Sequence, residues 1–342
     1  MPKPKVSIII VNLNGGEFLD VCLSSLKKQT YRDFEVIVVD NFSTDNSLKL
    51  LEEKYSGFTR VIRNQYNTGF ARGNNIGIMK ASGDLIITLN NDIEADERWL
   101  EELVNSAQAD EKIGMCASKI RSYYRRDIID SAGVNIYWDG MSRGRGRMEV
   151  DSGQYDAGKE IFIPSACAAL YKKEMLDEIG LFDEDFFAYC EDTDLGLRGR
   201  LAGWKCVLSP RAIVYHFYSA TGGRYSSFKA FMVERNHIWV ALKSLPIWIL
   251  AVAPLFTFIR LIIQGISLLK YKFPVKNKRD TGLLLKMQII LTCAKAYFYA
   301  FKELPYVLKK RRLIRSNRKA ADFEVFDWFI KFKLEARDLV LD

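Results

Sequence analysis

Glu191-Asp192-Thr193-Asp194 sets three carboxylates within four residues. Such a run repels itself unless something uses it. Asp192, within hydrogen-bond reach of a hydroxyl, can take its proton as a general base. Glu191 and Asp194 suit a different task, orienting loop and helix through Arg198 or Arg200. The plain alternative is an acidic N-terminus on the helix that follows, where carboxylates suit the macrodipole. A second centre is LIITLNNDIEAD (85–96), a buried-strand pattern that stops at Asn90-Asn91-Asp92. Mg2+ and Mn2+ take oxygen ligands and keep waters and phosphates in their shell. The Asp92 carboxylate plus two diphosphate oxygens therefore suffices to hold one, and the cation would neutralise a departing diphosphate. Glu94 and Asp96 read as solvated residues of the next turn and helix start. His216, one of two histidines in the chain, ends the strand AIVYH. It is either a buried, hydrogen-bonded residue or a further ligand beside Asp92. His237 falls within a helical pattern and reads as structural, and Cys190 has no paired base and reads as inert.

Two more strand ends carry polar groups: Asn12-Leu13-Asn14-Gly15-Gly16 and Asp40-Asn41. Asp40 can accept from a pyrimidine N–H or from ribose hydroxyls, with Asn12 and Asn14 in a loop against the base. The alternative is that these are helix caps and turns. In NTGFARGNNIG (67–77), Gly69 and Gly73 permit close approach to the backbone. Arg72 can pair with a diphosphate, and Asn67, Gly69, Arg72 and Asn74 are candidate donor contacts. Loop 217–225 contains two glycines and Arg224, and suits closure over a donor.

Apolar runs at 6–13, 34–40, 59–64 and 84–90 predict strands. Helical spacing predicts helices at 17–29, 43–55, 70–81 and 98–109. Short connections between them imply parallel βαβ units, whose ligands bind beyond the carboxyl ends of the strands. All three polar strand ends then face one crevice. Residues 113–170 read as strands and loops over the acceptor side, 173–182 and 228–245 as helices, and 205–216 as a strand.

The chain has 342 residues, a net charge of +8 and six scattered cysteines without a C-x-x-C pair. That spacing excludes a zinc knuckle and a disulfide framework, and fits a reducing cytosol. MPKPKVSIII runs straight into a strand, so no export signal is expected. Residues 302–319 hold eight basic residues and one acid, a surface for an anionic partner. Nucleic acid is not expected, because no reading module accompanies the charge. Two apolar stretches, 246–270 and 283–301, are separated by Lys270, Lys272, Lys276, Lys278 and Arg279. A membrane-crossing hairpin would put that basic loop outside, against the positive-inside bias. Arg260, Lys286 and Lys295 add to the cost of insertion. The expectation is of helices lying on an anionic membrane surface. Packing on the domain or on a second subunit is the alternative, and oligomeric state stays open.

In order and spacing, VSIIIVNLNG, VIVVDNFSTDNS, NTGFARGNNIG, LNNDIEAD, GLFDEDFFAYCEDTDLGLRGRLAGW and RAIVYHFYSATGG followed by ERN resemble the family-2 inverting glycosyltransferases. The last three resemble the bacterial rhamnosyltransferase-like branch, which builds cell-surface polysaccharides. The resemblance covers residues 5–245. It implies an α/β GT-A (Rossmann-like) fold with a mostly parallel sheet flanked by helices and a catalytic domain over 1–245, to which the apolar stretches and basic run add a helical, basic, membrane-associating region over 246–342. Asp40 then corresponds to the nucleotide-binding acid, with Asn12, Asn14, Asn67, Gly69, Arg72, Asn74, Asn90, Asn91 and Glu191 around the nucleotide sugar. Asp92 corresponds to the last acid of the Asp-x-Asp metal motif, His216 to a metal ligand and Asp192 to the base. The chain departs at Asn90, where the motif often has a second acid. Implied partners are a Mn2+ or Mg2+ ion, a dTDP-rhamnose or UDP-sugar donor, and a glycan or polyprenyl-linked acceptor at the inner face of the cell membrane. The rivals are a sugar nucleotidyltransferase, which should carry a basic phosphate loop after the first strand, and a non-catalytic nucleotide-sugar-binding protein.

Overall fold

The computed structural model describes residues 4–157, 160–217, 226–270 and 282–339, without the side chains of 268–270, 282–286 and 289. The chain divides into two compact units, one of Met1–Val134 with Gly144–Gly223, the other of Asn135–Arg143 with Arg224–Asp342. The division falls at Gly223 rather than at the expected residue 245, because the helix over 227–244 packs with the C-terminal helices.

The first unit alternates as the apolar runs require: β1 Val6–Asn12, α1 Gly16–Lys27, β2 Phe34–Asp40, α2 Ser47–Lys54, β3 Thr59–Arg63, α3 Gly69–Met79 and β4 Leu85–Asn90. β5 Ile93–Ala95, α4 Trp99–Gln108, β6 Ile113–Ser122 and β7 Ile129–Ser131 follow; the paired strands β8 Val134–Ile136 and β9 Ser142–Gly144 carry the chain into and out of the second unit, and β10 Ala168–Lys172 comes next. α5 Lys173–Ile179, α6 Glu191–Leu201 and β11 Lys205–His216 complete it. The sheet runs β3-β2-β1-β4-β10-β6-β11-β5, with β7 paired to β6. β3, β2, β1 and β4 are parallel, β10 is antiparallel between β4 and β6, and β11 runs parallel to β6.

The central strands are mostly apolar because both sheet faces are covered, and polar side chains within them are bonded, Ser7 to Glu35 and Thr88 to Ala166 O. Ile8 and Ile10 of β1, Val36 and Val38 of β2, and Ile87 and Leu89 of β4 pack with α1 and α4. Ile9, Ile37, Val39 and Ile86, one residue out of step, pack on the opposite face with Ala71, Ile78 and Leu195. Trp99 is fully buried and donates its indole N–H to Ser118 Oγ at 2.8 Å, fixing α4 on β6. α2 begins at Ser47 rather than at 43, because the polar residues before it are committed elsewhere. Ser43 N donates to Asp40, Thr44 N to Asn14, and Asp45 accepts from Gly16 N.

The second unit is helical: α7 Ser227–Ser244, α8 Ile247–Lys270, α9 Gly282–Lys302, α10 Leu304–Ser316 and α11 Asp322–Lys331. α7 is its centre. Trp239 Nε1 donates to Ala300 O of α9 at 3.2 Å, and Arg311 Nη1 of α10 donates to Leu242 O at 2.8 Å. Within the same unit Trp138 lies 5.5 Å from Phe256 of α8 and 5.0 Å from Phe329 of α11, ring to ring.

Candidate functional site

Three strand ends meet, as their polar residues predict. Asn91 Nδ2 donates to Asn12 Oδ1 at 2.8 Å, and Asn12 Nδ2 donates to Asp40 Oδ1 at 3.2 Å and to Ser43 Oγ at 3.1 Å. One amide of β1 thus ties together the ends of β4 and β2. Asp40 is 1% exposed, and its second oxygen accepts from Ser43 N at 3.1 Å. Its carboxylate therefore shapes the loop rather than standing open to a base. Asn14, with φ of 51°, is exposed and accepts from Thr44 N at 2.7 Å. Gly15 is required by close approach, since a Cβ there would collide with Asn91 Nδ2.

The stretch 67–77 is placed differently from the reading that offers it to phosphate. Phe187 O accepts from Phe70 N at 2.7 Å and Ala71 N at 3.1 Å, so the first donors of α3 are already taken. Gly69, at φ 80°, makes room for Phe187 rather than for a ligand: a Cβ would come within 2.6 Å of that carbonyl oxygen. Arg72 is half exposed with Nε 3.7 Å from Glu184, and Asn74 donates to Phe70 O inside its own helix. Asn67 accepts from Asn41 Nδ2 at 3.1 Å. Asn41, which the sequence suggested only as a cap, is the hub of this loop. Its Oδ1 accepts from Thr68 N, Thr68 Oγ1 and Asn64 Nδ2.

The chemical groups gather on the other side of Asn91. Asp92 is 5% exposed, and its Oδ1 accepts no hydrogen bond from the described residues. His216 Nε2 lies 3.3 Å from that oxygen. The imidazole is oriented from behind: Nδ1 lies 2.7 Å from Asp130 Oδ2 on β7, and Arg147 Nη1 donates to Asp130 Oδ1 at 2.7 Å. Burial alone would lower the His216 pKa, but Cys167, Asp130 and Asp92 outweigh it and hold the ring well above its usual range. An unsatisfied buried carboxylate oxygen facing an oriented imidazole fits a divalent cation, which would displace the proton at His216 Nε2 on binding. No cluster of three or more such ligands occurs among the described residues, so diphosphate oxygens and water must complete any shell. Asn90, half-buried, donates its N–H to Cys167 O at 2.8 Å and supplies no second acid. Glu94 is not simply solvated, since it pairs with Arg126 at 2.6 Å, and it lies on the edge strand β5, which the sequence did not suggest.

Asp192 lies in the first turn of α6, not ahead of it. Oδ2 accepts from Ala166 N at 3.2 Å and Oδ1 from Thr193 N at 2.7 Å. Burial raises its pKa, with those hydrogen bonds working in the opposite direction. Glu191 is pushed further up, by burial and by the Asp192 charge, and its Oε2 accepts no hydrogen bond from the described residues. The loop before α6 is strained: Phe187, Tyr189 and Cys190 all have positive φ, at 61°, 69° and 64°. Asp194 is structural, pairing at 2.9 Å with Arg198, which donates to the carbonyls of Ile179, Gly180 and Leu181. Arg200 instead bonds the carbonyls of Ile161 and Phe162.

Two neighbouring residues join the halves. Asp192 is bonded to Ala166 N, while the next residue, Cys167, accepts from Asn90 N and lies against His216. Thr88 Oγ1 fixes this segment through Ala166 O at 2.7 Å. Nothing local marks Asp130, Cys167 or the Ala166 amide, whose partners lie 86, 77 and 26 positions away. Residues 218–225, with Arg224, lie outside the described residues.

Residues 7–180 match the family described as Glycosyl transferase family 2. The O-antigen biosynthesis protein RfbC of Myxococcus xanthus is 31% identical over 64% of this chain, which there spans only 18% of the relative. The N-acetylglucosaminyl-diphospho-decaprenol L-rhamnosyltransferase of Mycobacterium tuberculosis is 23% identical over 68% of this chain and 85% of its own. Among solved structures, GalNAc-T7 with UDP, GalNAc and Mn2+ superposes with a TM-score of 0.58 at 22% identity, over 71% of this chain and 48% of that one. Its likeness shows the fold. The chain belongs to glycosyl transferase family 2 and has the GT-A fold.

Proposed function

We propose that the chain is an inverting glycosyltransferase. It moves a sugar, rhamnose or a hexose, from a dTDP- or UDP-sugar to a hydroxyl of a glycan or polyprenyl-linked acceptor in cell-surface glycan synthesis. The family match supports glycosyl transfer, and the rhamnosyltransferase and O-antigen relatives support the sugar and the product class. The observation that carries the reading is the pair of adjacent residues Ala166 and Cys167. They put the Asp192 carboxylate and the Asp92–His216 pair at one short segment of the sheet rim.

The donor lies across the strand ends, with its nucleoside towards the loop that Asn12, Asp40 and Ser43 hold. Asp92 and His216 are the residues to hold a Mn2+ or Mg2+ ion, which supplies neutralising charge for the diphosphate. Asp192 accepts the proton of the acceptor hydroxyl. The freed oxygen attacks the anomeric carbon from the face opposite the diphosphate, the carbon–diphosphate bond breaks, and the nucleoside diphosphate leaves with the bonding pair. Burial makes Asp192 a stronger base than an ordinary aspartate.

The test is nucleoside diphosphate release from a panel of nucleotide sugars, with and without Mn2+, by the wild type and Asp192→Asn. Release by the wild type that Asp192→Asn loses supports the transferase. A variant that binds donor and turns over at the wild-type rate removes Asp192 from the mechanism. Donor binding without turnover on any acceptor points to a binding protein.

A further inference from the structure

α8 is inside out. Thr257, Arg260 and Gln264 recur at helical spacing on the side facing the rest of its unit. The exposed side is apolar, with Leu255 at 59%, Phe258 at 62% and Ile262 at 45% exposure. A helix against water shows the reverse pattern, apolar inside and polar outside. α9 and α11 expose more of the same, including Ile290, Phe298 and Phe323. Exposed apolar residues repeated along a helix in this way mark a docking face.

The inward face is saturated. Arg260 is fully buried, and all five of its N–H groups have acceptors. Nε donates to Asp139 at 2.7 Å, Nη1 to Glu234 at 2.8 Å and Gln264 at 3.0 Å, and Nη2 to Glu234 at 3.1 Å and the Tyr297 hydroxyl at 3.2 Å. Nothing in this cluster is left for a ligand, so its consequence is geometric.

Two observations choose the occupant of the outer face. The first is charge: Lys295, Lys302, Lys309, Arg312 and Arg315 are exposed on α9 and α10, beside a single exposed acid there, Glu303. Arg311 on the same helix is crowded enough that burial, Arg315 and Arg318 together lower its pKa. An apolar face within a cationic unit complements an anionic lipid surface. The second is the position of Arg260, near the middle of the 24-residue α8. A crossing helix would carry Arg260 to the bilayer centre together with its partners. Glu234 belongs to α7, which also holds Lys229, Arg235 and Lys243, and Asp139 belongs to the turn that joins the paired strands β8 and β9. Lipid-exposed irregular backbone and such a polar helix have no place at that depth. α8 is also the one helix among the described residues long and apolar enough to cross.

We infer that the helical unit docks on an anionic bilayer with α8 lying within one leaflet, Leu255, Phe258 and Ile262 towards the acyl chains, and both ends of α8 on the same side of the membrane. The test uses the full chain added to preformed phosphatidylcholine vesicles, with and without about one phosphatidylglycerol in three lipids. The chain should sediment with the anionic vesicles. Leu255→Asp with Phe258→Asp, both at exposed positions, should weaken binding by at least about tenfold at an unchanged melting temperature. Lys309→Glu with Arg312→Glu should remove the preference for anionic lipid. Asn277→Cys, in the segment that follows α8 in the sequence, should react with an impermeant thiol reagent on intact vesicles, above the background of the parent chain. Protection until detergent is added would place the two ends of α8 on opposite sides and overturn the single-leaflet arrangement. Absence of vesicle binding, with the double aspartate variant instead dissolving a dimer, would assign the face to a second copy of the chain and overturn the proposal.

Discussion

Two buried polar clusters in this protein invite comparison. Around Arg260 every guanidinium N–H has an acceptor, and two carboxylates offset the charge. At the rim of the sheet, Asp92 Oδ1 and Glu191 Oε2 are buried without a hydrogen bond from the described residues. Burying such a group costs about 1–3 kcal/mol. A saturated cluster reports on how the chain holds itself. An unsaturated one reports on something absent from the chain, and here it coincides with the residues suited to a cation and a proton transfer.

The comparison is broken most sharply at the base. Asp192→Asn should lower kcat by about 10²- to 10⁴-fold in a product-release assay, with donor affinity retained by equilibrium titration. Arg260→Leu acts on the saturated cluster. It leaves Asp139 and Glu234 unpaired, and should cost about 3–5 kcal/mol in denaturant unfolding of the helical unit. Asp92→Asn should behave differently. Turnover should fall by about 10²- to 10³-fold, while the melting temperature falls less than in Arg260→Leu, because His216 loses one of its two carboxylates and keeps Asp130. Equal loss of stability in Arg260→Leu and Asp92→Asn would erase the distinction.

Asn12→Ala sharpens the picture on the donor side. It frees Asn91 and Asp40 from each other, and should cost about 1–3 kcal/mol of stability and raise the KM for donor more than it lowers kcat. The smallest effect is on the pH profile. The base works deprotonated, and its folded-state pKa is raised, so activity is present above that pKa and lost as pH falls through it. The acid limb of kcat/KM should therefore lie above 3.8, the ordinary aspartate value, with a slope of about tenfold per pH unit. A limb at or below that value would separate Asp192 from the rate.

The sheet was legible because burial on both faces leaves a strand few positions for a polar residue, and those few, such as Ser7 and Thr88, are isolated within apolar runs. Val6–Asn12, Phe34–Asp40 and Lys205–His216 end within one residue of where their apolar runs end. The strand-end residues Asn12, Asp40, Asn91, Asp92 and His216 could be singled out for the converse reason, as polar groups where apolar ones stop. What could not be read is which of them bond to the chain itself. Asp40 and Gly69 looked open to a ligand and are occupied by Ser43 and Phe187, partners supplied by loops of no marked composition. Asp130 carries no local signal, because its meaning comes from pairing across β6 to a histidine 86 residues away. Arg260 was visible as a charge in an apolar stretch. Its spacing with Thr257 and Gln264 is readable afterwards as a polar stripe, but only the partners on α7 and in 135–143 say which way that stripe faces.

The Phe187 carbonyl, accepting from both Phe70 and Ala71, joins the start of α3 to the bend ahead of α6. Those two amide protons can exchange with deuterated solvent only when that bend lifts away. They form a natural clock for the opening of that bend, readable by mass spectrometry in the unlabelled wild-type protein, and any molecule that holds the bend down should slow them together.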